Sequence, residues 1–158
     1  MTQIPFTLSC QRQAVILMGI QASGKSTFYQ QILQQTHAHI SLDVLRTRGR
    51  EQRALTQCLA EGRSFIIDNT NPTKEDRQRY IPIAKQHGYH VIGIFFQSIV
   101  KDCIRRNERR NKGIMPKAIA CTSNKLEMPS RTEGFDEIFF AKMNNDNGFD
   151  IEPWIEKN

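Results

Sequence analysis

The feature that most constrains the fold is a glycine- and lysine-containing motif at residues 19–27, Gly-Ile-Gln-Ala-Ser-Gly-Lys-Ser-Thr. It fits the pattern G-x-x-x-x-G-K-[ST], in which a loop leads from a strand into a helix. The preceding residues, 14–18, form a short apolar run, as expected for a strand buried on both faces of a parallel sheet. Residues 25–35 carry apolar side chains at helical spacing. The motif in this setting predicts a phosphate-binding loop, or P-loop.

Each residue type in the loop has a physical role in binding phosphate. Gly19 and Gly24 permit backbone angles that a Cβ atom disfavours, so that N–H groups can turn inward around an anion. The helix that follows adds its positive N-terminal end. Lys25 supplies a positive charge to the outer phosphates, and the Ser26 hydroxyl is a ligand for Mg²⁺. We therefore predict that a nucleoside triphosphate binds at Gly19, Gln21, Ala22, Ser23, Gly24, Lys25, Ser26 and Thr27.

The rest of the chain alternates between strand-like and helix-like segments, which predicts an α/β fold: a five-stranded parallel sheet flanked by helices. After the first strand, we predict strands at 39–42, 64–67, 89–96 and 137–142. The helices are predicted at 25–35, 50–61, 73–86, 99–111 and 116–126, and Pro82 is expected to kink or split the helix at 73–86. We expect residues 1–158 to form one domain, with a core at about 13–142, an N-terminal segment 1–12 that the sequence allows to be disordered, and a tail, 143–158, in which only Trp154 and Ile155 dock.

Composition and cysteine spacing bear on the cellular setting. The 158 residues are 39% hydrophobic and 24% charged, which is typical of a globular protein. The longest apolar runs, such as 91–96, are too short to cross a bilayer, and the first ten residues lack the features of a signal peptide. The four cysteines form no CxxC pair, which favours free thiols in a reducing compartment. We expect a cytoplasmic protein with no membrane partner.

An acidic and a basic residue follow the second predicted strand, in the segment His-Ile-Ser-Leu-Asp-Val-Leu-Arg. Ligands of open α/β sheets bind at the carboxyl ends of the strands, so Asp43 is expected near the mouth of the P-loop. A carboxylate there can accept the proton of an attacking hydroxyl, and Arg46 can hold a phosphate of the acceptor. The alternative is structural: Asp43 caps a helix and Arg46 lies on the surface.

The third predicted strand, 64–67, leads into a polar segment, so that residues 65–72 read Phe-Ile-Ile-Asp-Asn-Thr-Asn-Pro. Three apolar residues followed by an aspartate form a Walker B pattern, in which Asp68 supports Mg²⁺ directly or through water. Asn69 and Asn71 place amide groups at the same strand end. Asparagine and proline also favour turns, and both interpretations can hold together.

The net charge of +6 is distributed unevenly, and clustered basic residues attract polyphosphates. One cluster comprises Arg46, Arg48, Arg50 and Arg53; the other comprises Lys101, Arg105, Arg106, Arg109, Arg110 and Lys112. The second cluster predicts a helical lid, because Arg106 and Arg110 share a helix face, as do Arg105 and Arg109. Such a face can neutralise charge on a transferred phosphate, or it is simply solvated. The four histidines have no metal-ligand spacing and are interpreted as structural or surface residues.

Together, the segments GIQASGKST, SLDVLR, FIIDNTNP, RRNERR and EGFDEI resemble the 5′-hydroxyl polynucleotide kinase family and the wider group of P-loop kinases, over about residues 15–140. The resemblance implies ATP and Mg²⁺, with transfer of the γ-phosphate to the 5′-hydroxyl end of an oligonucleotide. It further implies that Asp43 is the general base, that Arg46 contacts the acceptor phosphate, and that a lid arginine, for which we choose Arg106 and Arg110, acts on the transferred phosphate. Neither the DxDxT signature of a phosphatase nor the KxDG signature of a ligase occurs in the chain.

Other P-loop proteins are alternatives. The segment HISLDVLR also resembles the acceptor segment of nucleoside monophosphate kinases, but their third strand is usually followed by Asp-Gly-x-Pro-Arg, and here Asp-Asn-Thr-Asn-Pro follows. A small-metabolite kinase of the same fold and a non-catalytic ATP-binding switch also fit the P-loop. A switch has no use for a base at Asp43. No aromatic platform is apparent beside the arginines, which argues against a long single-strand groove.

Overall fold

A computed structural model describes residues 2–111 and 113–156; Met1, Lys112, Lys157 and Asn158, and with them the predicted role of Lys112 in the basic cluster, lie outside these ranges. The segments are, in chain order, β1 (Gln13–Met18), α1 (Lys25–Phe28) continued by a π-helical segment (Tyr29–Leu33), β2 (Ala38–Ile40), α2 (Leu42–Leu45), α3 (Arg48–Glu61), β3 (Phe65–Ile67), α4 (Lys74–Arg77), α5 (Ile81–Gln86), β4 (His90–Phe96), α6 (Val100–Arg110), α7 (Pro116–Lys125), a 3₁₀ turn (Arg131–Glu133), β5 (Glu137–Met143) and β6 (Phe149–Pro153).

The strands form one sheet in the order β2-β3-β1-β4-β5-β6. The first five are parallel, and β1 lies at the centre with all six residues buried. The predicted α/β class, with a parallel sheet flanked by helices, is confirmed. The predicted strand count is wrong, because β6 adds a sixth, antiparallel strand beside β5. Within the described ranges no helix is both long and apolar enough to cross a membrane.

Alternate residues of β1 pack into different cores on the two faces of the sheet. Ile16 and Met18 join one core with Leu55 of α3 and Ile81 of α5. Leu17 joins the other core, with residues that include Phe28 of α1 and Phe149 of β6. Because both faces are covered, β1 is held rigidly and fixes the start of the loop that follows Met18.

Several helix boundaries differ from those predicted. The segment 73–86 is split into two helices, one of the two outcomes predicted for Pro82. Thr73 caps α4 in a reciprocal capping box with Asp76, while Pro82 lies in the first turn of α5, where its missing N–H group is tolerated. The second strand ends at Ile40 rather than Leu42, which already belongs to α2.

Both terminal segments contact the sheet. Residues 2–12, which the sequence allows to be disordered, include Phe6, whose ring centroid lies 5.2 Å from that of Phe139. In the tail, Trp154 docks against Phe95 and Phe140 as predicted. The docking predicted for Ile155 is wrong, since this residue is 81% exposed.

Candidate functional site

The loop after β1 has backbone angles and close approaches that require glycine. Gly24 has φ +106°, and a Cβ atom there would lie 3.0 Å from the Phe149 ring and 3.1 Å from the Met143 side chain. Gly19 has φ +154°, and its Cβ atom would lie 2.8 Å from the Ser23 hydroxyl. The two glycines of the motif therefore answer a steric need as well as a conformational one.

The N–H groups at the end of this loop are available to an anion. Helix α1 begins at Lys25, so the N–H groups of its first turn have no acceptor inside the helix. Among the hydrogen bonds of the described residues, none has the N–H of Gly24, Lys25 or Ser26 as its donor. Adjacent N–H groups without acceptors are what a phosphate requires, so the loop fits the predicted ligand.

Lys25 is folded back over the loop that carries it. Its Nζ donates to the carbonyl oxygens of Gly19 at 2.9 Å and Ile20 at 2.8 Å, and to the Ser23 hydroxyl at 3.3 Å. Burial lowers the pKa of Lys25 to about 8, against the opposing attraction of Asp68, Cys103 and Asp43. The ammonium group is therefore mostly charged at neutral pH, although it lies in a poorly solvated place.

Asp68, at the end of β3, contacts both the loop and β2. The Ser26 hydroxyl donates to Asp68 Oδ2 at 2.8 Å, and His39 Nε2 lies 2.7 Å from the same oxygen. The Tyr29 ring stacks on the His39 ring at a centroid distance of 4.0 Å. The sequence does not predict this contact of His39, because it depends on β2 lying beside β3, and the order of the strands leaves no local sequence pattern.

The two oxygen-bearing side chains, Ser26 and Asp68, fit a magnesium ion. Hydroxyl and carboxylate oxygens are the hard ligands that Mg²⁺ prefers, and this ion commonly uses one or two carboxylates together with substrate phosphates and water. Within residues 2–111 and 113–156 no group of three or more His, Cys, Asp or Glu side chains could hold a metal by itself. The sequence predicts Ser26 and Asp68 as the magnesium ligands, and the structure places the two side chains 2.8 Å apart.

A cleft of about 450 Å³ gathers most of the predicted residues. It is lined by Gln21, Ala22, Gly24, Lys25, Ser26, Leu42, Asp43, Asp68, Asn69, Thr70, Arg110 and Ile114. Asp43 thus shares a cavity with the P-loop, in the first turn of α2. The sequence-predicted Arg46 does not line it: this residue is exposed at the end of α2 and has φ +76°.

Helix α6 presents two of its arginines to the P-loop. Arg106 Nη1 donates to the Ala22 carbonyl oxygen at 3.0 Å, and Arg110 Nη2 donates to the Thr27 hydroxyl at 3.1 Å. Arg110 is exposed, as are Arg105 and Arg109, but among the hydrogen bonds of the described residues neither Arg105 nor Arg109 donates to the P-loop. The structure therefore separates the two arginine pairs, which sequence spacing alone leaves equivalent.

The fold and this site define a P-loop nucleotide-binding domain with a kinase-like fold. The family model described as an AAA domain matches residues 15–120, and the chain belongs to that family. A curated relative, the bifunctional polynucleotide phosphatase/kinase of Schizosaccharomyces pombe (strain 972), is 31% identical over 140 residues, or 84% of this chain. The chain spans 34% of that relative's length. The predicted resemblance to polynucleotide kinases is thereby confirmed.

Solved structures show the same fold. A fungal RNA kinase superposes with a TM-score of 0.65 at 12% identity, over 89% of this chain and 78% of its own. A gluconokinase from Sinorhizobium meliloti 1021 superposes with a TM-score of 0.61 at 15% identity, over 82% of each chain. These likenesses extend across kinases with different acceptors, so they leave the acceptor to be argued from the site.

Proposed function

We propose that the protein is an ATP-dependent kinase that transfers the γ-phosphate to the 5′-hydroxyl end of a polynucleotide. The observation that carries the proposal is the shared cleft: the carboxylates of Asp43 and Asp68 line the same cavity as Lys25 and Arg110. A phosphate-binding loop alone would serve a switch equally well. A second carboxylate across the cleft, outside the Walker motifs, is what a hydroxyl acceptor needs.

The residues divide the work of the transfer. The P-loop N–H groups and Lys25 hold the phosphates of ATP, and Ser26 with Asp68 would hold Mg²⁺, which would offset the negative charge of the phosphates. Asp43 accepts the proton of the 5′-hydroxyl while the hydroxyl oxygen forms a bond to the γ-phosphorus. The bond from that phosphorus to the β–γ bridging oxygen breaks, and ADP leaves. Arg106 and Arg110 face the region where charge develops, where fixed positive groups are most effective.

The choice of a polynucleotide rests on charge beside the acceptor side and on the named relative. Arg46, Arg50 and Arg53 are exposed on α2 and α3, next to the element that carries Asp43. The phosphates of a strand end could bind along these side chains. The S. pombe relative is named for polynucleotide chemistry. We further propose the cytoplasm as the location, from the spacing of the four cysteines.

An acceptor screen with γ-labelled ATP tests the proposal. The panel comprises DNA and RNA oligomers with 5′-hydroxyl ends in several lengths, nucleosides, nucleoside monophosphates, gluconate and other metabolite alcohols. We expect label on the oligomers, with transfer that rises with chain length. Label confined to nucleoside monophosphates or to a metabolite would overturn the polynucleotide assignment and retain a kinase. ATP hydrolysis without transfer to any acceptor would favour the switch.

A further inference from the structure

Glu51 is a buried carboxylate that the proposed chemistry does not use. It lies in the first turn of α3, is 4% exposed, and does not line the cleft. Its oxygens accept hydrogen bonds from Asn69 Nδ2 at 2.8 Å, from Arg48 Nη1 at 2.9 Å and from the Tyr80 hydroxyl at 3.2 Å. A buried carboxylate held by this many donors is anchored, and the donor that connects it to the cleft is Asn69.

Asn69 in turn holds the start of α2. Its Oδ1 accepts from the Leu42 N–H group at 2.9 Å. Helix α2 has only four residues, and its N-cap, Ser41, makes no side-chain capping hydrogen bond. A single helical turn is unstable on its own, so contacts from elsewhere fix its position. Asn69, from the end of β3, provides the acceptor that the local sequence of α2 lacks.

The Glu51 carboxylate sets which way the Asn69 amide faces. An ionised carboxylate only accepts hydrogen bonds, so it selects the NH₂ end of the amide. The oxygen end is then directed to Leu42, whose N–H group only donates. If the Glu51 acceptor is lost, Asn69 Nδ2 keeps only its longer hydrogen bond to the Tyr80 hydroxyl, at 3.3 Å, and the amide that caps α2 is held less firmly.

We propose that Glu51 is a positioning residue for phosphoryl transfer: through Asn69 it caps α2 and thereby holds Asp43 in the cleft. The proposal rests on the proposed function of Asp43 as the base. Glu51 also engages Arg48, whose Nη1 donates to it at 2.9 Å although the Arg48 side chain is 48% exposed. We therefore assign phosphate binding on α3 to Arg50 and Arg53, which are exposed as well.

Two variants with different chemistry test the connection. Asn69→Asp keeps the oxygen that faces Leu42 and places a second carboxylate against Glu51, whereas Glu51→Ala removes the anchor. We expect each to lower kcat about 10- to 100-fold, as small misplacements of a catalytic group do, and we expect Glu51→Ala, which lies outside the cleft, to leave the Kd for ATP unchanged. Glu51→Gln, which still offers an oxygen to Asn69 Nδ2, should retain more activity. Glu61→Ala, at an exposed position of the same helix, is the matched control.

Two further measurements distinguish positioning from a general loss of structure. In an Asp43→Asn background, Asn69→Asp should cause no further loss of kcat, because the base on which it acts is already gone. Amide hydrogen exchange at residues 42–46 should accelerate in Asn69→Asp and in Glu51→Ala, but not in Glu61→Ala. Wild-type kcat in both Glu51→Ala and Asn69→Asp, or a full additional loss in the Asp43→Asn background, would overturn the proposal.

Failure of the proposed function gives a different result. A wild-type protein that binds ATP but labels no acceptor would refute the kinase assignment. The exchange rates at residues 42–46 are measured without any acceptor, so they still test whether Glu51 fixes α2. Should Glu51→Ala fail to fold, Asn69→Asp and Glu51→Gln, whose side chains match the originals in size, decide the outcome.

Discussion

At the scale of single residues, the site contains a cation that the fold does not favour. Lys25 is 8% exposed, its ammonium group faces two carbonyl oxygens, and burial lowers its pKa to about 8 from the ordinary 10.5. Between pH 8 and 10.5 the unfolded chain binds more protons than the folded one, so stability rises with pH over that window. Below pH 8 the destabilisation is present in full. Phosphate binding compensates for it, because a bound anion favours the charged lysine.

Replacing this lysine should therefore stabilise the protein while abolishing nucleotide binding. The lowered pKa corresponds to a cost of about 3 kcal/mol for burying the charge at pH 7. The two lost hydrogen bonds to carbonyl oxygens, at about 1 kcal/mol each, offset part of this cost, and the longer one to the Ser23 hydroxyl adds little. We expect Lys25→Met to raise the free energy of unfolding by about 1–2 kcal/mol at pH 7, and the gain to shrink towards pH 9.5. Urea unfolding without nucleotide measures this. Lys142→Met, at an exposed position, is the control. A Lys25→Met protein that is no more stable than wild type at pH 7 would contradict the claim that burial of the charged lysine destabilises the fold.

At the scale of elements, the strand that the sequence does not predict supports the loop that it predicts best. Phe149 of β6 is 2% exposed, and its ring packs edge-on against Phe28 and Phe96 at centroid distances of 5.4 Å and 5.8 Å. The same ring limits the space at Gly24. The sixth strand is thus part of the wall behind the P-loop.

Truncating this ring should lower stability and nucleotide affinity together. We expect Phe149→Ala to lower the free energy of unfolding by about 3–5 kcal/mol, as for other buried aromatic residues. The Kd for ATP should rise as well, because the backbone at Gly24 loses its packing partner. Chemical denaturation and equilibrium titration provide the two values, with the exposed Glu152→Ala of the same strand as control. A destabilised variant that binds ATP with wild-type affinity would show that β6 does not support nucleotide binding by the P-loop.

The lid helix offers a matched comparison between its two faces. Both Arg109 and Arg110 are exposed, but Arg110 donates to Thr27 and lines the cleft, whereas Arg109 does not line it. We expect Arg110→Ala to lower kcat by about 10²–10³-fold, the usual effect of removing one fixed donor from a developing negative charge. Arg109→Ala should remain close to wild type in the same labelled-ATP assay. Equal losses in the two variants would mean that α6 acts only through its overall charge.

The elements that could be predicted are those whose information is local. The P-loop is one continuous stretch, and β1 and β4 are continuous apolar runs, so sequence patterns identify them. Helix α2 was missed because its cap, Asn69, lies 27 residues away. Strand β6 was missed because FDIEP contains only one buried residue, Phe149, and its place depends on pairing with β5. The contact of His39 with Asp68 likewise depends on strand order.

At the scale of the whole molecule, the net charge of +6 predicts how substrate binding responds to salt. Each arginine that contacts a backbone phosphate releases counterions, so the KM for an oligomer should rise with salt concentration. Arg50→Gln and Arg53→Gln should each reduce the slope of log KM against log salt by about one. Arg63→Gln is the control, since Arg63 is exposed just before β3, at the amino-terminal ends of the parallel strands, whereas Asp68 and the cleft lie at their carboxyl ends. Unchanged slopes in all three variants would mean that the oligonucleotide does not bind along Arg50 and Arg53.

The central claim, that Asp43 directs the γ-phosphate to a 5′-hydroxyl, has one direct test. Transfer from γ-labelled ATP is measured on an oligonucleotide with a 5′-hydroxyl end and on the same oligonucleotide with a 5′-phosphate, for wild type and for Asp43→Asn. We predict label on the hydroxyl oligomer alone, reduced by about 10²–10⁴-fold in Asp43→Asn with unchanged ATP affinity. Equal transfer by Asp43→Asn and wild type, or equal label on both oligomers, would contradict the account.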